Sequence, residues 1–155
     1  VVFSSADLPF DFTDVDWILR ENLNSDLVVG SKAHPRSELV RTPLRRLMSF
    51  VYLWLRKLVL GMRTRDPQGS LIFRPKWLKV HAACQSKDFF LTTEVVYQME
   101  REGAKVLEVP IKLRPDRRAS KVNPIKDGSK VFKQILRFSM KNGRLKNKAD
   151  CQFYP

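Results

Sequence analysis

Three kinds of side chain in this 155-residue chain could do chemistry: a few carboxylates at the ends of predicted elements, clusters of cations, and isolated His and Cys residues. Val1–Ser5 (VVFSS) reads as a short buried strand, Asp7 follows it, and Pro9 ends regular pairing there. In an α/β protein, ligands bind beyond the carboxyl ends of strands, so Asp7 stands where a carboxylate could meet one. Capping a turn or helix is the alternative for Asp7. Glu94, on the helix that begins after Asp88, reads by itself as a helix-surface carboxylate. Asp14 and Asp16 need no catalytic role, because Thr13 and Asp16 form a near capping box at the start of a helix over 13–22. Cys84, Cys151, His34 and His81 match no metal-ligand spacing, which argues against a zinc site and for reduced thiols in a reducing compartment.

The cations dominate. The formal net charge is +13, which draws the chain towards polyanions: nucleic acid, anionic headgroups or phosphorylated substrates. No zinc-finger, RRM or KH signature accompanies the charge, so nucleic acid is not an expected partner. The 43% hydrophobic content suits a globular domain with a proper core. No signal peptide is visible, and no apolar run of about 18 residues suggests a membrane span. The opening on Val rather than Met suggests a fragment or a chain without its natural start.

These groups need elements to position them. Asp26–Ser31 (DLVVGS) predicts a strand ending at Lys32. Thr42 as cap, Pro43 at the first helical position and Gly61 as stop frame a long helix carrying Arg45 and Arg46. Its apolar surface is so wide that the helix is either deeply buried or touching something else, a membrane interface included. Asp66-Pro67-Gln68-Gly69 is a turn before a short strand at Leu71–Phe73, and Pro75 opens a further helix ending near Gln85. Val95, Val96 and Met99 give the next helix its apolar stripe, and Gly103 stops it. Lys105–Leu113 (KVLEVPIKL) predicts a strand that Pro110 confines to an edge or bends. A basic loop follows, containing Arg118, Ser120 and Lys121. The tail then reads as an amphipathic helix, with Lys130, Lys133, Arg137, Lys141 and Arg144 opposite Val131, Phe132, Ile135, Leu136 and Met140. That pattern suits a membrane surface, or equally a solvated face over the core.

The ordered run Phe89-x4-Glu94, Gly103, Glu108-Val109-Pro110 and Ala119-Ser120-Lys121-Val122 resembles the C-terminal half of family-two glycosyltransferases. The subgroup it is most similar to holds the dolichyl-phosphate mannose and polyprenyl-phosphate glucose synthases. The resemblance implies an α/β fold, a glycosyltransferase-A-like three-layer sandwich with a mixed sheet, here without the N-terminal strands that grip the nucleotide base. Ser5-Ala6-Asp7 falls on that family's Asp-x-Asp motif. Asp7 matches the second Asp, implying a Mg²⁺ or Mn²⁺ ion on the nucleotide diphosphate, whereas Ser5 replaces the first Asp and Pro9 a frequent Gln. Gly30-Ser31-Lys32 resembles a G-S-R element, Lys32 keeping the charge of Arg but not its bidentate geometry. Asp66 and Gln68 match an acceptor-facing turn, with one residue fewer before Phe73, and Thr92 stands where an aspartate is common.

The resemblance thus implies Asp66 and Glu94 as catalytic carboxylates. It implies Ser31, Lys32, Arg45, Arg46, Gln68, Arg118, Ser120 and Lys121 as groups that hold the donor and its phosphates. The implied activity is inverting transfer from a nucleotide-sugar to an acceptor, a polyprenyl or dolichyl phosphate at the cytoplasmic face of a membrane. The catalytic part would span 1–125 and the basic helix and tail 126–155. The alternative, carried by Ser5, Pro9, Thr92 and the missing N-terminal half, is a diverged or truncated homologue serving as a membrane- or partner-binding module.

Overall fold

A computed structural model of the chain describes residues 1–4, 16–17, 24–37, 43–86, 90–112 and 124–143. Among them, a four-stranded mixed sheet runs in the order β1 (Val2–Phe3), β3 (Leu71–Phe73), β2 (Leu27–Ser31), β4 (Val106–Pro110). β3 is antiparallel to both β1 and β2, and β2 is parallel to β4, pairing Leu27 with Val106 through Ser31 with Pro110. The helices are α1 (Pro43–Leu60), α2 (Leu78–Ala83, after a 3-10 turn at Pro75–Trp77), α3 (Phe90–Arg101) and α4 (Pro124–Gly143). The architecture is therefore α/β with a mixed sheet.

β2 is buried at all five residues, as its unbroken apolar run requires of a central strand. Leu27 and Val29 share one face of it with Leu71 and Phe73 of β3, and Val95, Val96 and Met99 of α3 close over them. Each such side chain contributes about 1.5–3 kcal/mol by leaving water. The ring of Phe138 on α4 meets Phe90 and Tyr97 edge-on, both at 5.1 Å, which seats α4 beside α3. α4 also packs on α1, where Ser139 Oγ donates to the Val59 carbonyl at 3.3 Å.

Both glycine stops behave as their positions require. Gly61 and Gly103 take φ of 68° and 81°, and their N–H groups return to the carbonyls of Lys57 and Glu100. Among the described strands, Pro110 sits on an edge one, β4. Three expectations change. Of the strand expected over Val1–Ser5, whose Ser5 lies outside the described residues, the structure shows Val2–Phe3, and it is not buried: Val2 is 63% exposed, because among the described residues β1 borders the sheet beside β3. The helix after Pro75 divides into a 3-10 turn and six α-helical residues. The tail helix buries Ile135 and Asn142 rather than the full predicted stripe, leaving Phe132, Leu136 and Met140 exposed. The helix expected over 13–22 lies, but for 16–17, outside the described residues.

Asp26 ties the starts of the strands together. Its N–H donates to the Lys105 carbonyl, its Oδ2 accepts from the Lys105 N–H at 3.1 Å, and its Oδ1 pairs with Lys76 Nζ at 2.6 Å. The Lys76 ammonium and the Lys105 N–H hold its carboxyl well below the usual carboxylate range. A depressed carboxyl pKa adds stability above the unfolded-state value, and that stability is lost as pH falls through the folded value. Asp26→Asn should therefore lower Tm at pH 7, with the gap to wild type narrowing in scans below about pH 4. At Gly69 a Cβ would lie 1.6 Å from the Gly30 carbonyl oxygen, a backbone atom that cannot move aside. Urea denaturation should show Gly69→Ala losing about 3 kcal/mol or more. Gly103→Ala, strained by positive φ in open space, should lose only about 1 kcal/mol.

Candidate functional site

The connection from Gly61 to Ser70 has no ladder of its own, so its N–H groups need other acceptors. Carboxylates supply them. Glu100 of α3 accepts from the N–H groups of Arg63 (3.0 Å) and Thr64 (2.8 Å) and from the Thr64 hydroxyl. Glu108 of β4 accepts from the N–H groups of Arg65 and Asp66. Asp66 Oδ1 takes the Gln68 N–H at 3.1 Å, an Asx-type turn, and its Oδ2 takes the Lys32 N–H at 3.1 Å.

This connection, the residues after β2 and the inward side of α1 enclose a cavity of about 400 Å³. It lies at the C-terminal end of β2, where the α/β rule places ligands. Lys32, Arg46, Arg56 and Arg65 line it against one carboxylate, Asp66, with Ser49, Phe50, Tyr52, Leu53 and Gln68 completing the wall. Four cations and one anion leave the lining three charges positive.

Arg56 lies deepest, only 2% exposed. Its Nη2 donates to the Arg65 carbonyl at 2.6 Å, and its guanidinium sits 4.4 Å from the centre of the Tyr52 ring. Burial pulls its pKa down, opposed by the carboxylates of Asp66, Glu108 and Glu100, and a guanidinium keeps its proton even so. Tyr52 shares a 3.0 Å hydrogen bond with Thr93 and accepts one from Gln68 Nε2 at 3.3 Å. Burial raises its pKa, so the phenol is neutral at pH 7.

Of the residues singled out from the sequence, Lys32, Arg46, Asp66 and Gln68 meet at this cavity. Lys32 Nζ reaches the Gln68 carbonyl at 3.2 Å. Ser31 is buried at the end of β2, where its Oγ accepts from the Ala33 N–H and its carbonyl from the Ser37 hydroxyl. It is not part of the lining. Glu94 is buried away from the cavity. Its oxygens accept from the N–H groups of Gln85 (3.1 Å) and Ser86 (2.9 Å), so it anchors the chain between α2 and α3. Arg45 is placed on α1 by its backbone alone. Asp7, Arg118, Ser120 and Lys121 lie outside the described residues. Cys84 is unpaired among the described residues; burial, reinforced by Glu94, pushes its thiol up to about 12, so it carries no thiolate at neutral pH. Sequence reasoning missed Arg56, Arg65 and Tyr52 as site residues. The spacing of Tyr52 and Arg56, four apart on one helix, was the available signal.

Among the described residues no three His, Cys, Asp or Glu side chains gather to hold a metal ion. The cavity's carboxylate, Asp66, has both oxygens on backbone N–H groups. Comparison with protein-family models, curated proteins and solved structures yields no match to this chain.

Removing a carboxylate should loosen the connection. Glu100→Ala strips the acceptor from three donors and should cost about 2 kcal/mol, read from the shift of the urea midpoint.

Proposed function

We propose that the chain is the acceptor-side part of a nucleotide-sugar-dependent glycosyltransferase, of glycosyltransferase-A-like three-layer architecture, working on a lipid phosphate at a membrane surface. One juxtaposition carries this reading: the cationic cavity adjoins the outward apolar face of the helix that helps to enclose it. Leu44, Leu47, Phe50, Val51, Trp54 and Leu58 of α1 are all exposed, Leu58 at 75%. Phe50 belongs to both the face and the cavity wall. Phe132, Leu136 and Met140 extend apolar exposure onto α4, which packs on α1. Exposed Lys57, Lys130, Lys133 and Arg137 accompany them. No described helix is long and apolar enough to cross a membrane. A basic, apolar-faced helix pair of this kind suits the plane of an anionic bilayer.

In this reaction an acceptor oxygen attacks the anomeric carbon in line with the departing nucleoside diphosphate. The new carbon–oxygen bond forms as the old one breaks, its electron pair leaves with the diphosphate, and the anomeric configuration inverts. A phosphate acceptor is already an anion, so no general base is required. That agrees with Asp66 and Glu94 both being engaged by backbone N–H groups. Lys32, Arg46 and Arg65 would attract and orient the phosphates, and Asp66 would hold Lys32 and Gln68 in place. Mg²⁺ or Mn²⁺ at Asp7, when bound, would supply counter-charge to the leaving diphosphate. The same engaged carboxylates favour one second reading, a membrane- or partner-binding homologue without transfer activity.

Calorimetric titration with UDP- and GDP-sugars, with Mn²⁺ and with chelator, tests the donor side. The expected result is metal-dependent binding, weakened at least about tenfold by Lys32→Ala. Absence of binding for every donor, for this chain and for any longer protein containing it, overturns the transferase. Flotation with anionic vesicles tests the surface: Leu47→Glu with Trp54→Glu should abolish association, and unchanged association would place the contact elsewhere.

A further inference from the structure

Arg56 poses a problem that the rest of the cavity does not solve. Nε and Nη1, three of the guanidinium's five N–H donors, are buried and find no acceptor among the described residues. The fourth and fifth sit on Nη2, which reaches the Arg65 carbonyl. A buried cation ordinarily has a counter-charge and a filled set of acceptors. The carboxylates near enough to act on Arg56 are Asp66, Glu108 and Glu100. Each is turned instead to backbone N–H groups, and none forms an ion pair with Arg56. Moreover, Arg56 lines the cavity, while Arg46 and Arg65 in the same lining are exposed. Cations thus lead from the exposed side to an interior guanidinium with donors to spare.

We propose that Arg56 is the anchor of a phosphate-monoester site, its Nε and Nη1 groups donating to the oxygens of a dianion held between it and Lys32. A planar fork with several donors matches a tetrahedral oxyanion better than an ammonium does. The Tyr52 ring, 4.4 Å from the guanidinium, holds the fork in its plane, and the Tyr52–Gln68–Thr93 hydrogen bonds hold the ring. Phe50 and Leu53 give the ester's organic part an apolar wall. The site rests on the phosphate-binding reading of the cavity proposed above, and not on sugar transfer.

Titration with inorganic phosphate and with geranyl phosphate tests it, on wild type, Arg56→Met, Arg56→Lys and Lys32→Ala, with circular dichroism to confirm folding. Arg56→Met should weaken both ligands at least tenfold, and Arg56→Lys, which keeps the charge but not the fork, at least threefold. Should Arg56→Met fail to fold, Arg56→Lys decides alone. Tighter binding of geranyl phosphate than of inorganic phosphate assigns the site to a lipid headgroup, and equal binding assigns it to free phosphate. Either supports the site when Arg56 is required. Wild-type affinity in a folded Arg56→Met or, failing that, in Arg56→Lys, with loss in Lys32→Ala, overturns the role of Arg56 and leaves the cationic cavity standing. Failure of wild type to bind either ligand at millimolar concentration overturns both.

Discussion

Carboxylates spent on backbone N–H groups are the constraint on which the cavity depends. Glu100, Glu108 and Asp66 between them take the N–H groups of Arg63, Thr64, Arg65, Asp66, Gln68 and Lys32. A segment without a ladder is thereby fixed by charge-assisted hydrogen bonds, each stronger than a neutral one. The same choice has an electrostatic consequence. Acids turned towards the backbone do not neutralise the neighbouring bases, so Lys32, Arg46, Arg56 and Arg65 face a shared space with little opposing charge. Positive potential in the cavity and order in the connection have one origin.

α1 departs from the pattern of an ordinary surface helix. Such a helix sends its apolar stripe inward and its charges outward. Here Tyr52 and the charged Arg56 point into the protein, while Leu44, Leu47, Val51, Trp54 and Leu58 point out. An exposed stripe of this kind is costly in water, a cost that the membrane contact proposed above would relieve. One helix therefore offers a cationic interior and an apolar exterior, with Phe50 common to both. A ligand with a charged head and an apolar tail matches that division better than a wholly polar one.

Local signals were legible in the sequence, and long-range ones were not. Gly61 and Gly103 as stops, Pro110 on an edge strand among the described residues, and Pro43 at the start of α1 follow from rules acting within a few residues, and the structure obeys them. Lys32, Arg46, Asp66 and Gln68, which the motif resemblance singles out, line one cavity, a proximity that no periodicity contains. Glu100 and Glu108 bind N–H groups 36 to 43 residues away, a relation that no window of the sequence contains. Arg56 carried no signal as a site residue, because an arginine on a helix is almost never fully buried without a partner. The prior was sound in general. It failed where the cavity turned the side chain inward, as functional sites tend to do.

The position of the cavity owes as much to a backbone contact as to charge. Gly69 lies so close to the Gly30 carbonyl that no side chain fits between them, and the Gly30 N–H donates to the Ser70 carbonyl at 2.9 Å. That approach presses the connection against the C-terminal end of β2, which brings Asp66 and Gln68 beside Lys32. A larger residue at Gly69 would push the turn outward and separate Asp66 from the Lys32 N–H. The cations would remain, but the bonds that hold Lys32 and Gln68 together would not. Glycine sets where the site is, the carboxylates keep it there, and the arginines and Lys32 decide what it attracts.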